Sequence, residues 1–256
     1  MIRDSLENES FSAKSMLVWK CPRCDRQTLQ MRKGTRSREE SRKSRDAVSQ
    51  TGWDPDWIHG IFSALVECAA SGCREVISVA GTYGTEHVHP DEYEERFYPR
   101  FFCPPIPLID VPVGTPRSVR DILDEAFAVF WVSNGGCANR LRVLVERILD
   151  AKRVPKTKVG KGGKRKRMCA HDRIKLLRGR QKDIGEALLA LKFLGNEGSH
   201  ESKLIKEDVL DAFQIVEHVL SKLYDKSRVE TAKIIEDVNK RRGARRRPSV
   251  DRPSVT

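Results

Sequence analysis

The 256-residue chain lacks any long uninterrupted apolar segment. A helix that spans a bilayer needs about 20 consecutive apolar residues, so we predict a soluble protein with no membrane partner. The chain also lacks a Ser-centred nucleophile elbow. Its glycine-rich basic run, 160–166, has neither a preceding strand nor the Lys-Ser/Thr ending of a phosphate-binding loop. The sequence therefore carries no motif of an ATPase or a hydrolase.

The chain lacks an even set of cysteines, because it contains seven. An odd number argues against a complete disulfide framework. The first ten residues do not resemble a secretion signal. We therefore expect a reducing, cytoplasmic setting, in which paired cysteines bind metal more often than they oxidise.

Four of the cysteines form two pairs, Cys21-Pro-Arg-Cys24 and Cys68-Ala-Ala-Ser-Gly-Cys73. Tetrahedral zinc needs four soft ligands, and each tight turn can present two thiolates to one side of the ion. The alternative is a free dithiol or a disulfide. The pattern favours a structural Zn²⁺ held by all four thiolates, without an open coordination position.

The formal net charge of +12 is concentrated in two segments. Residues 152–167 contain nine basic and no acidic side chains, and residues 240–247 contain six more. Such blocks neutralise nucleic-acid phosphates or only keep a protein soluble. We therefore predict that RNA or DNA binds to the basic loop and tail, through Lys161, Lys164, Arg165, Lys166, Arg167, Arg245, Arg246 and Arg247.

Hydrophobic periodicity and proline content divide the chain into four segments. Together they predict an α+β, mainly α, architecture. We predict a small β zinc ribbon with a charged insert at 16–96 and a stiff, proline-rich connector at 97–115. An antiparallel helical bundle at 116–225 follows, with a flexible basic loop at 155–167. Residues 226–256 are expected to be a basic, largely disordered tail.

Two polar motifs lie in the helical part. Arg142 and Glu146 are four residues apart and share a helix face. Asn196 and His200 follow the end of another amphipathic helix. Because half-buried polar groups without partners cost about 1–3 kcal/mol each, we predict that these four meet near one end of the bundle.

The order of these motifs resembles the family known as domain of unknown function 4145. The similarity covers about residues 17–225, from the first cysteine pair through Leu141-Arg-x-x-x-Glu146 and Leu194-Gly-Asn-x-x-x-His200 to Leu223-Tyr224. The helical part of that family is similar to the HEPN superfamily (higher eukaryotes and prokaryotes nucleotide-binding), which includes metal-independent ribonucleases. The resemblance also implies a prokaryotic defence or restriction-type setting, and it allows a homodimer and a defence-system protein partner.

The ribonuclease pattern of that superfamily places an arginine before the polar residue and the histidine. In this chain the arginine position is occupied by Gly195, whereas Asn196 and His200 take the other two. We therefore predict a non-catalytic, nucleic-acid-associated module. One alternative is a ribonuclease that uses His200, Asn196, Arg142 and Glu146. The other is a protein-interaction scaffold whose basic segments serve only solvation.

Overall fold

A computed structural model describes residues 10–12, 19–89, 92–160, 162–197 and 204–243. An antiparallel sheet forms the N-terminal part and helices form the rest. The predicted α+β class and its order are therefore confirmed. No helix within the described ranges is long and apolar enough to cross a membrane.

Six strands build the sheet, in the spatial order β1-β6-β5-β4-β2, and β3 pairs with the other half of β4. A short helix α1 (Arg42–Ala47) and a 3₁₀ turn (Pro55–Trp57) lie between β3 and β4. The strands are β1 (Phe11–Ser12), β2 (Leu29–Met31), β3 (Ser37–Glu40), β4 (His59–Cys68), β5 (Val76–His89) and β6 (Glu92–Cys103).

One face of this sheet is buried because apolar side chains alternate along the strands. In β4 the even-numbered positions are buried, and this row ends at Cys68. Phe97 of β6 packs against Phe11 and Phe62, with ring centroids 5.3 and 5.1 Å away. The same alternation that builds the core therefore carries the Cys68 thiol inward.

The helical part begins with α2 (Arg117–Phe130) and α3 (Asn134–Ala151). A turn of three residues joins them, so they pack antiparallel. Ser133 caps α3 by accepting a hydrogen bond from the Gly136 amide at 3.0 Å. The later helices are α4 (Ala170–Arg178), α5 (Lys182–Glu197), α6 (Lys206–Tyr224) and α7 (Lys226–Arg241). Helix α3 also contacts α5 and α6.

The sheet and the helices share one continuous hydrophobic cluster. Trp131, at the end of α2, lies between them: its ring is 4.9 Å from Phe102 and 6.2 Å from Trp19. The amide of Asp110 in the connector also donates to Glu217 Oε1 of α6 at 2.7 Å.

Two predicted boundaries differ from the structure. Residues 97–103 lie in β6 rather than in the connector, so the sheet is larger than a ribbon. Proline is tolerated there because, among the described residues, β1 pairs with β6 only at Arg96 and Phe97 and none pairs with that edge at Pro99. Residues 226–241 of the predicted disordered tail form α7, which is capped by Asp225.

The basic loop was also predicted incorrectly. Residues 155–167 form a hairpin of β7 (Thr157–Val159) and β8 (Arg165–Arg167). Gly162 and Gly163 adopt positive φ in its turn, at 83° and 74°. The Met168 amide donates to the Lys156 carbonyl at 2.9 Å and closes the hairpin base.

Candidate metal centre and basic cleft

The four paired cysteines come from two tight turns at one end of the sheet. In the first turn, the Asp25 amide donates to the Cys21 carbonyl at 2.9 Å. In the second, the Cys73 amide donates to the Ala70 carbonyl at 3.1 Å, and Gly72 supplies a φ of 78°. Both turns therefore have the backbone conformation of metal-binding knuckles.

The four thiols converge on one point. The Sγ atoms of Cys21 and Cys73 are 3.7 Å apart, and those of Cys24 and Cys68 are 3.6 Å apart. All four Sγ atoms lie within 4.8 Å of one another. A tetrahedron with metal–sulfur bonds of about 2.3 Å has edges of about 3.8 Å. The group can therefore hold a metal ion, whereas a disulfide would require an S–S distance of about 2.05 Å.

Hydrogen bonds prepare one of these thiols for deprotonation. Burial raises the pKa of Cys68, but hydrogen bonds from the Thr28 hydroxyl, at 3.1 Å, and from the Ala70 amide outweigh it and lower that pKa to about 7. Burial raises the pKa of Cys21 to about 12 despite amide hydrogen bonds. A bound cation favours the thiolate form of all four ligands.

A second site is a cleft of about 730 Å³ between α3, α4, α5 and the hairpin base. Six basic and two acidic side chains line it. The basic ones are Arg142, Arg147, Lys156, Arg167, Arg173 and Lys192, and the acidic ones are Glu146 and Asp150. Val143, Met168, Cys169, Ala170, His171 and Asn196 complete the lining. We call this site the basic cleft.

Arg142, Glu146 and Asn196 all line the basic cleft. In the part of the chain that the structure describes, no hydrogen bond or ion pair joins any two of these three side chains. They share a cleft without satisfying one another. His200, the fourth predicted member, lies outside the described residues.

Gly195 explains why no arginine stands at this point of α5. A Cβ at position 195 would lie 2.6 Å from Arg142 Cβ and 3.1 Å from the Ala138 carbonyl oxygen. Real Cβ atoms do not approach a neighbour as closely as 2.6 Å. The close packing of α5 on α3 therefore requires glycine at position 195.

Asp150 organises the hairpin side of the cleft. Its carboxylate accepts from Arg173 at 2.7 Å and from Lys156 at 2.9 Å. Burial raises the pKa of Asp150, but the hydrogen bonds and charges of Lys156 and Arg173 outweigh this and keep that pKa below its usual value. Arg173 is only 7% exposed, so Asp150 compensates a buried charge.

The basic residues predicted to contact nucleic acid fall into two groups. Lys164, Arg165, Lys166 and Arg167 are exposed on the hairpin, and Arg167 also lines the basic cleft. The other four, Lys161, Arg245, Arg246 and Arg247, lie outside the described residues.

Sequence reasoning missed His171. It lies in the first turn of α4 and lines the cleft, and its buried Nδ1 has no hydrogen-bond partner among the described residues. Cys169, the N-cap residue of α4, also makes no side-chain capping hydrogen bond. A single histidine among charged residues forms no recognisable motif in the sequence, so only the tertiary structure shows that it lines the cleft.

Two family models match different parts of the chain. Residues 124–241 match the family described as Domain of unknown function (DUF4145). The helical part of the chain belongs to this family. The DUF4145 match ends at Arg241, the last residue of α7, so α7 is part of the family domain and not of a tail.

The N-terminal part matches a separate family, described as Domain of unknown function (DUF8608), over residues 9–102. The resemblance noted in the sequence extended one family over 17–225, whereas the matches assign the sheet and the helices to two. No curated protein and no solved structure matches the chain.

Proposed function

We propose that this protein is a zinc-containing nucleic-acid-binding module without efficient catalysis. The observation that carries the proposal is the continuity between the basic hairpin and the basic cleft, which meet at Arg167 and Lys156. A nucleic-acid strand whose phosphates follow the exposed face of β8 would continue directly into the basic cleft. Such contacts release counterions, which makes binding strong at low salt.

Zinc is the ion that best suits the four-thiolate site. Thiolates select zinc over the hard cations, and four of them leave no position for a catalytic water. Elemental analysis of the purified protein should find one zinc per chain. Cys21→Ser should release the metal and unfold the sheet, because metal-binding energy contributes to folding in such sites. Absence of zinc, or an unchanged content in the variant, would refute this assignment.

A second candidate is a HEPN-like ribonuclease, which the contact at Gly195 favours. Arg142 Cβ lies 2.6 Å from where a Cβ of residue 195 would stand, so an arginine side chain starts beside the position where the superfamily carries its arginine. This charge could stabilise the phosphate in the transition state, with His200 moving protons. The positive charge comes from another helix, however, so we expect little or no cleavage.

The binding proposal is tested on the hairpin. We expect that Lys164→Gln, Arg165→Gln and Lys166→Gln together weaken RNA or DNA binding and flatten its salt dependence by about 0.7–0.9 in log–log slope per lost phosphate contact. The matched control neutralises Lys33, Arg42 and Lys43, three exposed cations of the sheet part. Equal loss in both variants would show that only net charge matters.

Cleavage is tested separately, by incubating RNA with the wild type and with His200→Ala. RNA degradation that His200→Ala abolishes would establish the ribonuclease. If the wild type neither binds nor cuts at low salt, the scaffold hypothesis alone survives. The cytoplasmic location and a defence-system partner stay predictions from composition and from the resemblance.

A further inference from the structure

The basic cleft carries more positive charge than its own carboxylates compensate. Its lining has six cations and two carboxylates, an excess of four positive charges. Asp150 already accepts from Arg173 and Lys156. Glu146, the other carboxylate, makes no ion pair with any residue that the structure describes. Because the cleft is concave and cationic, it attracts anions.

Two of the cleft cations are half-buried and have no counter-ion within the described ranges. Arg142 of α3 and Lys192 of α5 both line the cleft, and neither forms an ion pair there. Lys192 Nζ lies 5.0 Å from the centroid of the Phe193 ring, a contact that does not neutralise its charge. Withdrawing a charge from water without a counter-charge costs free energy. A bound anion would therefore stabilise this part of the cleft.

Two buried nitrogen atoms of the cleft lining have no hydrogen-bond partner among the described residues. Arg173 is 7% exposed, and its Nη2 donates to Asp150 and, at 3.0 Å, to the Val154 carbonyl. Its Nε has no acceptor, and His171 Nδ1 is likewise buried and unpartnered. Buried polar atoms are hydrogen-bonded in the large majority of cases. These two atoms are therefore available to a polar ligand of the cleft.

The first turn of α4 adds backbone donors. Residues 168–171 line the cleft, so the N-terminus of this helix opens onto it. The first amides of a helix have no acceptor within the helix, and Cys169 makes no side-chain capping hydrogen bond. Lys158 binds the carboxylate of Asp172, the acidic residue of this turn, at 3.0 Å. Helix N-termini bind phosphate groups through such amides, so the backbone supplements the cations.

We propose that the basic cleft binds a terminal phosphate monoester, the group that ends a phosphorylated nucleic-acid strand. A phosphate monoester carries a charge of about −1.5 to −2 at pH 7 and three acceptor oxygens. An internal phosphodiester has a single charge and two free oxygens, fewer than the guanidinium, ammonium and amide donors of α3, α4 and α5 can engage. The cleft volume of about 730 Å³ lies within the range of small-ligand sites, about 300–1,000 Å³.

The remaining polar residues of the cleft favour a phosphorylated sugar over inorganic phosphate. Glu146 repels a phosphate placed next to it but can accept from a hydroxyl group. Asn196, which lines the same cleft, can donate and accept. In naming a strand as the carrier of the phosphate, this inference rests on the proposed nucleic-acid binding: the hairpin would hold the strand while the cleft holds its end.

The first experiment compares one single-stranded oligonucleotide in three forms: with a 5′-phosphate, with a 3′-phosphate, or with hydroxyls at both ends. Fluorescence anisotropy of an internal label measures binding to the full-length protein. The wild type should bind one phosphorylated form about ten-fold or more tightly than the hydroxyl form, because several charge-assisted hydrogen bonds form only with the monoester. We call this factor the end preference.

Substitutions assign the end preference to the cleft. Arg142→Gln and Lys192→Gln should each bring it close to one, and circular dichroism checks that both variants fold. Lys182→Gln is the matched control, because it removes the same charge from an exposed lysine of α5 that does not line the cleft. It should keep the end preference. Equal losses in Lys182→Gln and Lys192→Gln would contradict a site in the cleft.

A competition experiment separates a strand end from a free nucleotide. A nucleoside monophosphate, phosphorylated at the preferred position, should displace the phosphorylated strand at lower concentration than inorganic phosphate does. Equal wild-type binding of all three strands would overturn this inference and leave the proposed nucleic-acid binding intact. If no strand binds but the nucleoside monophosphate binds to the wild type and not to Lys192→Gln, the cleft takes a free nucleotide and the proposed function fails. Binding of neither would overturn both.

Discussion

The contact between Gly195 and Arg142 sets how closely α3 and α5 approach. We predict that Gly195→Ala destabilises the protein, although alanine has the better helix propensity by about 1 kcal/mol. The new Cβ would meet Arg142 Cβ at 2.6 Å, and overpacking of this kind costs about 1–3 kcal/mol. The net loss, about 1 kcal/mol and not more than about 2 kcal/mol, is measured by urea unfolding.

Gly179 provides the matched control for this substitution. It closes α4 at φ −62°, and an added Cβ there would meet its nearest atom, the Leu176 carbonyl oxygen, at an ordinary 3.6 Å. Gly179→Ala should therefore be neutral or slightly stabilising. Equal effects of the two substitutions would mean that the distance at Gly195 relaxes at no cost.

Single residues differ in how well the sequence predicts them. The convergence of Cys21, Cys24, Cys68 and Cys73 follows from spacing, because ligand pairs in tight turns are a local property of the chain. The placement of Arg142 and Asn196 in one cleft follows from helical periodicity. His171 was missed because the residues around it come from α3, α5 and the hairpin. These are distant in sequence, and no local pattern predicts that they lie close together.

At the scale of elements, Asp150 joins the end of α3 to α4 and to the hairpin. We predict that Asp150→Asn destabilises the protein by about 1–3 kcal/mol at neutral pH, because it leaves the buried Arg173 guanidinium without its counter-charge. The exposed Asp46, whose Arg42 partner is 88% exposed, serves as the control. Asp46→Asn should change stability by less than about 0.5 kcal/mol.

The effect of Asp150 also depends on pH, with a defined sign. Its pKa is lower in the folded protein than the usual value of 3.8. The carboxylate therefore stabilises the fold above the unfolded pKa, and this contribution is lost as the pH falls through the folded pKa. Wild type and Asp150→Asn should differ fully near pH 7 and converge below about pH 3.8. A constant difference across this range would contradict the assigned charge interaction.

Elements were predictable where periodicity and burial agree. The amphipathic stripes predicted a helical bundle at 116–225, and α2, α3, α5 and α6 lie within that range. The hairpin and α7 were missed because their residues are mostly charged and exposed, so no apolar alternation marks them. The end of β6 was missed because Pro99, and Pro104 directly after the strand, are typical of a connector rather than of a strand.

At the scale of the whole molecule, the order of sheet, connector and helices follows from the sequence, but the joint between them does not. Trp131 follows directly after α2 and is 5% exposed, between Trp19 and Phe102 of the sheet part and Phe130 of α2. Its carbonyl also accepts from Arg100 at 3.3 Å. The ring therefore contacts both parts of the shared hydrophobic cluster, and the division of the chain into a sheet domain and a helical domain stays a proposal that this residue can test.

We predict that Trp131→Ala costs about 3–5 kcal/mol, the usual loss for a buried aromatic ring, and that it separates one thermal transition into two. Sheet and helices match different family models and each has its own buried residues, so each should retain structure once the shared ring is gone. Calorimetry measures the transitions, and a zinc chelator should then shift only the one that belongs to the sheet. Trp57→Ala, at a tryptophan that is 39% exposed, should leave a single transition close to that of the wild type. A single transition that merely moves to lower temperature in Trp131→Ala would show that sheet and helices fold as one cooperative unit.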